Sequence, residues 1–375
     1  MNSLKALRGT LVIGVVVVLG AAWAVVRAQA PAKSETSQKS SGEVPAYSPS
    51  PSIVPPRTAW GGYPFSPYTD AEITDPDVHR VLYADDRIML LEVTNPPGLD
   101  VHMHGHPYPS VFAQDVGGNS RAVDPALAAL PADPKIDSTT PFNDQGSGEA
   151  PPPQGMKYPT CSTSQPQAPH KPLNNRSTPG HFYRIEFKRL DSEDIRTHWK
   201  EWYPEVTKPG KPVADLVRGP ALGPNFSDKW PYPIVYDSVQ AAPNNYKLLF
   251  EDGKIRLLEV MIRPGETTPM HGDPYPSIVS FNSISGDPSA VTDTKLDPDS
   301  PLNGQGAGHA PPPSVNNMKV PTCMTIGPQA PHKIHNAGTV PLHYYRFEYK
   351  RIDGDDFKNN WQKWYPWMMY MKYMR

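Results

Sequence analysis

A long internal duplication limits what this chain can fold into. The stretch MLLEVTNPPGLDVHMHGHPYPSVF from Met89 returns as RLLEVMIRPGETTPMHGDPYPSIV from Arg256, 167 residues later. PQAPHKPLNN around His170 returns as PQAPHKIHNAG around His332, and HFYRIEFKRLDSED from His181 returns as HYYRFEYKRIDGDD from His343. Repeats this long are tandem domains of one kind, since solenoid units run to about 20–50 residues. The chain can therefore be compared with itself.

Within each copy the pattern is that of short strands. Arg87–Val93 and Lys254–Val260 are rich in apolar and β-branched residues and run on to Pro-Gly turns. In YRIEFKR, His181, Tyr183, Ile185 and Phe187 alternate with Arg184, Glu186 and Lys188, the period of a half-buried strand. We assign the His181–Tyr183 face, and His343–Tyr345 in copy two, to the inside. Forty-eight prolines against 27 glycines argue against long helices. Each copy closes with one short helix, capped by Asp191 or Asp353 and ended by Pro204 or Pro366. Ile195, Trp199 and Trp202 form its apolar stripe. Many short strands with a single terminal helix predict an all-β chain, each copy an antiparallel barrel or jelly roll.

The expected boundaries follow from composition. Residues 1–30 read as a signal peptide, with Lys5 and Arg8 before an apolar run and Ala28-Gln29-Ala30 at the cleavage point. Residues 31–67 are a Pro/Ser-rich leader and arm, 68–204 the first copy, 205–229 a Pro-rich connector, 230–366 the second copy and 367–375 a Met/aromatic tail. The protein is expected to be exported, periplasmic or secreted, with no membrane span once the signal is removed. The tail either packs across the domain boundary or mediates homo-oligomer formation, and nothing in the sequence chooses between these. A formal charge of −2 offers no electrostatic case for nucleic acid or an anionic membrane. Cys161 and Cys323 stand at equivalent repeat positions and are read as small buried hydrophobes rather than as a disulfide. The glycine-rich insert from about Asp115 to Met156 is read as a lid or wall, with Glu149 and His309 solvated.

Histidine carries the chemistry. His102, His104 and His106 alternate, so a strand there would turn three imidazoles to one face, a costly arrangement without water, ligand or metal. Gly98, His104-Gly-His106, then Pro166, His170 and Asn174 resemble the two motifs of the cupin superfamily. Gly265, His271, Asp273, Pro328, His332 and Asn336 repeat them. The chain thus resembles a bicupin: two tandem cupin-type antiparallel jelly-roll barrels, each closed by its helix.

The resemblance implies a divalent transition metal (Fe, Mn, Zn, Ni or Cu) on His104, His106 and His170 in copy one, and on His271, Asp273 and His332 in copy two. The family's glutamate has no counterpart, and His102 is the expected substitute in copy one. Two histidines and a carboxylate in copy two make the donor set of a facial triad, whereas imidazoles alone suit several metals. Tyr108, Tyr183 and His181, with Tyr275, Tyr345 and His343, are the expected substrate-facing residues. His79, His198 and His335 are read as surface. The expected function is binding of a small acid or sugar with a metal in one or both barrels; if catalytic, it would be as an oxygenase, decarboxylase or isomerase. The alternative is a non-catalytic cupin scaffold or binding protein of the cell envelope.

Overall fold

The computed structural model describes residues 63–116, 149–153, 155–174, 176–189, 195–202, 230–281, 291–310 and 321–371. The signal peptide, most of the leader, the connector, most of the glycine-rich insert and Asp191 lie outside these. In copy one, β1 (His79–Ala84), β2 (Ile88–Asn95), β4 (Ser110–Gln114), β5 (Glu149–Ala150), β6 (Thr160–Ser164) and β8 (Gly180–Phe187) form an antiparallel sheet, ordered β1-β2-β8-β4-β6-β5. The short strands β3 (His104–His106) and β7 (Gln167–His170) pair separately.

Copy two repeats this plan. Strands β9 (Tyr246–Glu251), β10 (Ile255–Ile262), β12 (Ser277–Phe281), β14 (Gly306–Ala310), β15 (Thr322–Ile326) and β17 (Leu342–Tyr349) make the large sheet. The small sheet joins β11 (His271–Asp273), β16 (Gln329–Asn336) and β13 (Val291–Lys295). Side chains of the small sheet meet those of the large one, as where His106 bonds Glu186 across the interior. Each copy is therefore a two-sheet jelly-roll barrel.

The motif glycines and asparagines hold the loops. Gly98 and Gly265 have positive φ (64° and 72°), which favours glycine. Their N–H groups donate to the carbonyls of Asn174 and Asn336. Each Asn side chain donates in turn to two backbone carbonyls, those of Asn95 and Thr178 in copy one and of Ile262 and Val340 in copy two.

The barrels dock through a pseudo-twofold interface. One buried cluster takes Ile88, Leu90, Tyr183, Ile185 and Phe187 from copy one and Ile255, Leu257, Tyr345, Phe347 and Tyr349 from copy two. The ion pairs are reciprocal: Arg87 binds Glu259, and the equivalent Lys254 binds the equivalent Glu92 at 3.3 Å. Such mutual exchange is the mark of an isologous contact.

Three expectations are corrected here. The Tyr183 and Tyr345 face looks not into a barrel but onto the other barrel, with Tyr183 and Phe347 ring centroids 5.0 Å apart. Burying this apolar face between copies leaves Arg184 and Glu186 to line the interior. Cys161 and Cys323 form a disulfide between the copies, with Cα atoms 6.4 Å apart, because equivalent positions near a twofold axis meet their own counterparts. Asp353 stands at the N-cap of the 3-10 turn (Gly354–Asp356) that leads into the closing α-helix (Phe357–Trp364), but its side chain makes no capping bond and binds Arg351 and Tyr365 instead.

The end of the chain packs across the boundary. Phe357, Tyr365, Met368 and Met371 join a buried cluster otherwise made of copy-one residues, including Val78, Met89, Leu91 and Val93. Trp361 and Trp364, at helical spacing from Phe357, pack against it. No helix among the described residues is long and apolar enough to cross a membrane.

Candidate metal centre

Barrel one gathers four imidazoles. His104 and His170 are directly opposite in the β3–β7 pair, with ring centroids 5.0 Å apart. His106, two residues along β3, lies 5.3 Å from His104 and 5.7 Å from His170. The fourth is His79, at the start of β1, 4.4 Å from His104 and 5.2 Å from His106. All four are buried. Ligand atoms of His79, His104 and His106 lie within 4.8 Å of one another.

The hydrogen bonds orient these rings. Nδ1 of His104 sits 2.9 Å from the carbonyl of His102, and Nδ1 of His170 is 2.9 Å from that of Ala168. A carbonyl only accepts, so both Nδ1 atoms carry a proton, and in the neutral ring it is Nε2 that offers the lone pair. Nδ1 of His106 donates to Glu186 at 2.9 Å. Outer acceptors of this kind fix metal-ligating imidazoles in other proteins. Nε2 of His104 and Nδ1 of His79 are buried without a hydrogen-bond partner, a costly state that a cation would relieve. Burial, with neighbouring His104 and Arg184, drives the pKa of His79 well below the ordinary imidazole value. Burial and Arg184 do the same to His106. Both rings are thus held neutral, the form a metal ligand needs. Burial raises Glu186 to about 7 against the pull of Arg184.

Barrel two is built differently. Tyr246 occupies the place of His79, and its hydroxyl donates to Nε2 of His271 at 2.7 Å. The lone pair that is open in His104 is therefore engaged in His271, whose Nδ1 donates to the Pro269 carbonyl at 2.8 Å. Asp273 replaces His106 and pairs with Arg346 at 3.1 Å. Although burial works against ionisation, Arg346 and the nearby imidazoles hold the Asp273 carboxyl below its usual range. Burial, then His332, lowers His271 to about 4. His271, Asp273 and His332 do converge within 4.8 Å; the ring nitrogens of His271 are met by Tyr246 and Pro269, whereas both carboxylate oxygens of Asp273 are buried without a hydrogen-bond partner.

The glycine between the two motif positions has a steric reason in both barrels. A Cβ on Gly105 would lie 2.1 Å from the Tyr63 hydroxyl, and one on Gly272 would lie 2.8 Å from Trp230. Those aromatics reach over the small sheet and donate to the carbonyls of Gln167 and Gln329, at 2.8 and 3.1 Å.

Most of the candidate residues read from sequence are brought together, but not all. His104, His106 and His170 meet, as do His271, Asp273 and His332. His102 does not join them: β3 starts at His104, so the alternation stops short, and His102 is largely exposed with Nδ1 on Asp75 at 2.8 Å. His181 and His343 are buried outside the centres, bonded to Glu92 and Glu259 at 3.1 and 3.0 Å. Tyr108 and Tyr275 are buried rather than set in an open mouth, and the Arg256 guanidinium stacks 4.9 Å from the Tyr275 ring. His198, Glu149 and His309 are exposed, and half-buried His335 bonds Thr267. Sequence reading missed His79. Its signal was the repeat itself, which sets it against Tyr246 at the head of the first strand.

No protein-family model and no curated protein matches this sequence. Among solved structures the chain is similar to AerE from Microcystis aeruginosa, at 7% identity over 72% of this chain and 91% of that one, with a TM-score of 0.18. It is similar also to salicylate 1,2-dioxygenase from Pseudaminobacter salicylatoxidans, at 12% identity over 71% and 72%, TM-score 0.19. Bacillus subtilis oxalate decarboxylase, described with Mn(II) centres, is similar at 15% identity over 70% and 68%, TM-score 0.20. Likeness at this level says nothing of activity. Two jelly-roll barrels from one duplicated unit, each with its motif histidines on the small sheet facing the large one, give this chain a duplicated cupin-type fold.

Proposed function

We propose that this is an exported metal-binding bicupin in which barrel one works and barrel two supports it. His79, His104, His106 and His170 would hold a divalent transition metal, His79 standing in for the glutamate that the cupin motif lacks here. The observation that carries this reading is the convergence of four buried imidazoles, two of them with ring nitrogens that no protein atom satisfies. An all-imidazole set suits Zn, Cu, Fe or Ni by donor type, with Mn less favoured. A metal so placed supplies Lewis acidity toward a small polar ligand such as an acid or sugar. The chain's part is to turn the imidazoles inward, to keep His79 and His106 neutral and to exclude bulk water by burial. Export is supported by the basic–apolar–small N-terminal segment and by the disulfide between copies, a bond that persists in oxidising compartments.

The test is elemental analysis of protein purified from metal-supplemented cells. A single metal per chain is expected, lost in the His104→Ala/His106→Ala double variant and retained in His271→Ala. A chain that carries no metal and gains no thermal stability from Mn, Fe, Ni, Cu or Zn refutes the reading. Retention of the metal only by barrel two would reverse the assignment of barrels.

A further inference from the structure

Behind His104 and its equivalent His271 stands a second polar group, and the copies differ in it. A one-turn helix, Ala71–Thr74 in copy one and Ser238–Ala241 in copy two, runs beside each small sheet, tied to it by the bridges Asp70–Gly105 and Asp237–Gly272. It ends at Asp75 in one copy and at Ala242 in the other, with similar backbone angles (φ −132° and ψ 62° against φ −135° and ψ 51°). Their carbonyls accept the N–H groups of His79 and Tyr246, at 2.8 and 2.9 Å. The backbone is therefore common to both barrels, and the carboxylate is particular to barrel one.

That carboxylate is fully buried and spans two imidazoles. Oδ1 of Asp75 accepts from Nδ1 of His102 at 2.8 Å. Oδ2 lies 3.3 Å from Nδ1 of His104, alongside the bond from that nitrogen to the His102 carbonyl. In barrel two, Nδ1 of His271 has the matching carbonyl, that of Pro269, and its second neighbour is the Thr268 hydroxyl at 3.3 Å. A charged group thus stands in barrel one where barrel two has a neutral one. The outer histidine that grips it follows the same division, since Pro269 occupies the place of His102. When an imidazole gives its Nε2 lone pair to a cation, positive charge grows on the Nδ1–H side. A carboxylate 3.3 Å away stabilises that charge more than a hydroxyl does, and the buried setting strengthens the effect.

We infer that Asp75 is a positioning residue for the imidazole centre: it orients His104, strengthens Nε2 as a donor and directs the metal to barrel one. His102 holds Asp75 from the solvent side. This rests on barrel one being the metal-binding barrel. Asp75 acts through His104, with its carboxylate on the side of the ring away from Nε2.

Zinc affinity of the full-length protein, measured by competition with a chelator, tests this with Asp75→Asn, which keeps the size and removes the charge. Zinc binding should weaken about tenfold or more, the scale of outer partners of metal-bound histidines. The d–d bands of the Co(II)-loaded variant should shift from those of the wild type, a change that loss of stability alone does not produce. His102→Ala, which leaves the carboxylate in place, should weaken zinc binding less than Asp75→Asn; a larger loss overturns the inference. The wild type supplies a reading that needs no variant. In zinc-loaded, 15N-histidine-labelled protein the Nδ1 proton of His104 should resonate downfield of that of His170, whose Nδ1 bonds the Ala168 carbonyl. Equal shifts overturn the inference even if Asp75→Asn does not fold. Zinc held equally by wild type and Asp75→Asn, with unchanged cobalt bands, sinks this inference alone and leaves the proposed function standing. A wild type that binds neither ion ends the inference, and the proposed function falls with it only if Mn, Fe, Ni and Cu are refused as well.

Discussion

Replacing His181 with Gln should remove a pH-dependent clasp between the copies. The imidazole sits on β8 with Nδ1 3.2 Å from Asp115 and Nε2 3.1 Å from Glu92. It packs 5.7 Å from the ring of Phe357 and 4.7 Å from that of Tyr365, both from the end of the chain. Burial alone would drive the proton off. The Asp115 and Glu92 carboxylates outweigh it and hold the pKa up to about 9, against an ordinary 6.5. The folded state therefore binds this proton more tightly than the unfolded one. Its stabilisation is complete below pH 6.5 and is lost as the pH climbs through 9. A gap of about 2.5 units corresponds to roughly 3 kcal/mol. Glu92 reports the same contacts from the other side: burial opposes ionisation, yet His181, Lys254 and Arg80 lower it to about 2, so the two shifts are not added together. Urea unfolding of wild type and His181→Gln at pH 6 and pH 9.5 measures the effect. The stability advantage of the wild type should shrink by about 3 kcal/mol between the two, while other titrations cancel in the difference. An advantage that is flat across that range would show that His181 is neutral in the fold and that the clasp carries no charge.

Other outcomes follow from the same contacts. The Cys161–Cys323 bridge closes a separation of 162 residues, so Cys161→Ala/Cys323→Ala should cost about 5 kcal/mol by chain entropy, read from guanidinium unfolding. A loss below about 1 kcal/mol would mean that docking of the barrels already restricts the unfolded chain as much as the bond does. Gly105→Ala should push Tyr63 off the Gln167 carbonyl and cost about 2–3 kcal/mol in overpacking and a lost hydrogen bond. A thermal midpoint unchanged from wild type would show that Tyr63 swings aside freely.

Much of this protein was legible in its residues. Strand period and the duplication specify two barrels of one kind, alternation sets His104 beside His106, and the resemblance to cupins implies that His170 joins them. Local alternation says which side chains share a face, because the side-chain period of a strand is two. It does not say where that face looks. Both faces of β8 are buried, one in the barrel and one against its twin, so whether Tyr183 or Arg184 lines the interior depended on the docking of the copies. The same docking made a disulfide of two distant cysteines and placed the final aromatic residues over copy one. His79 joined the imidazole centre only through barrel closure, which brings the head of β1 beside β3. Such contacts are long-range, fixed by closure of each barrel and by burial of the apolar interface between barrels, and no local pattern carries them.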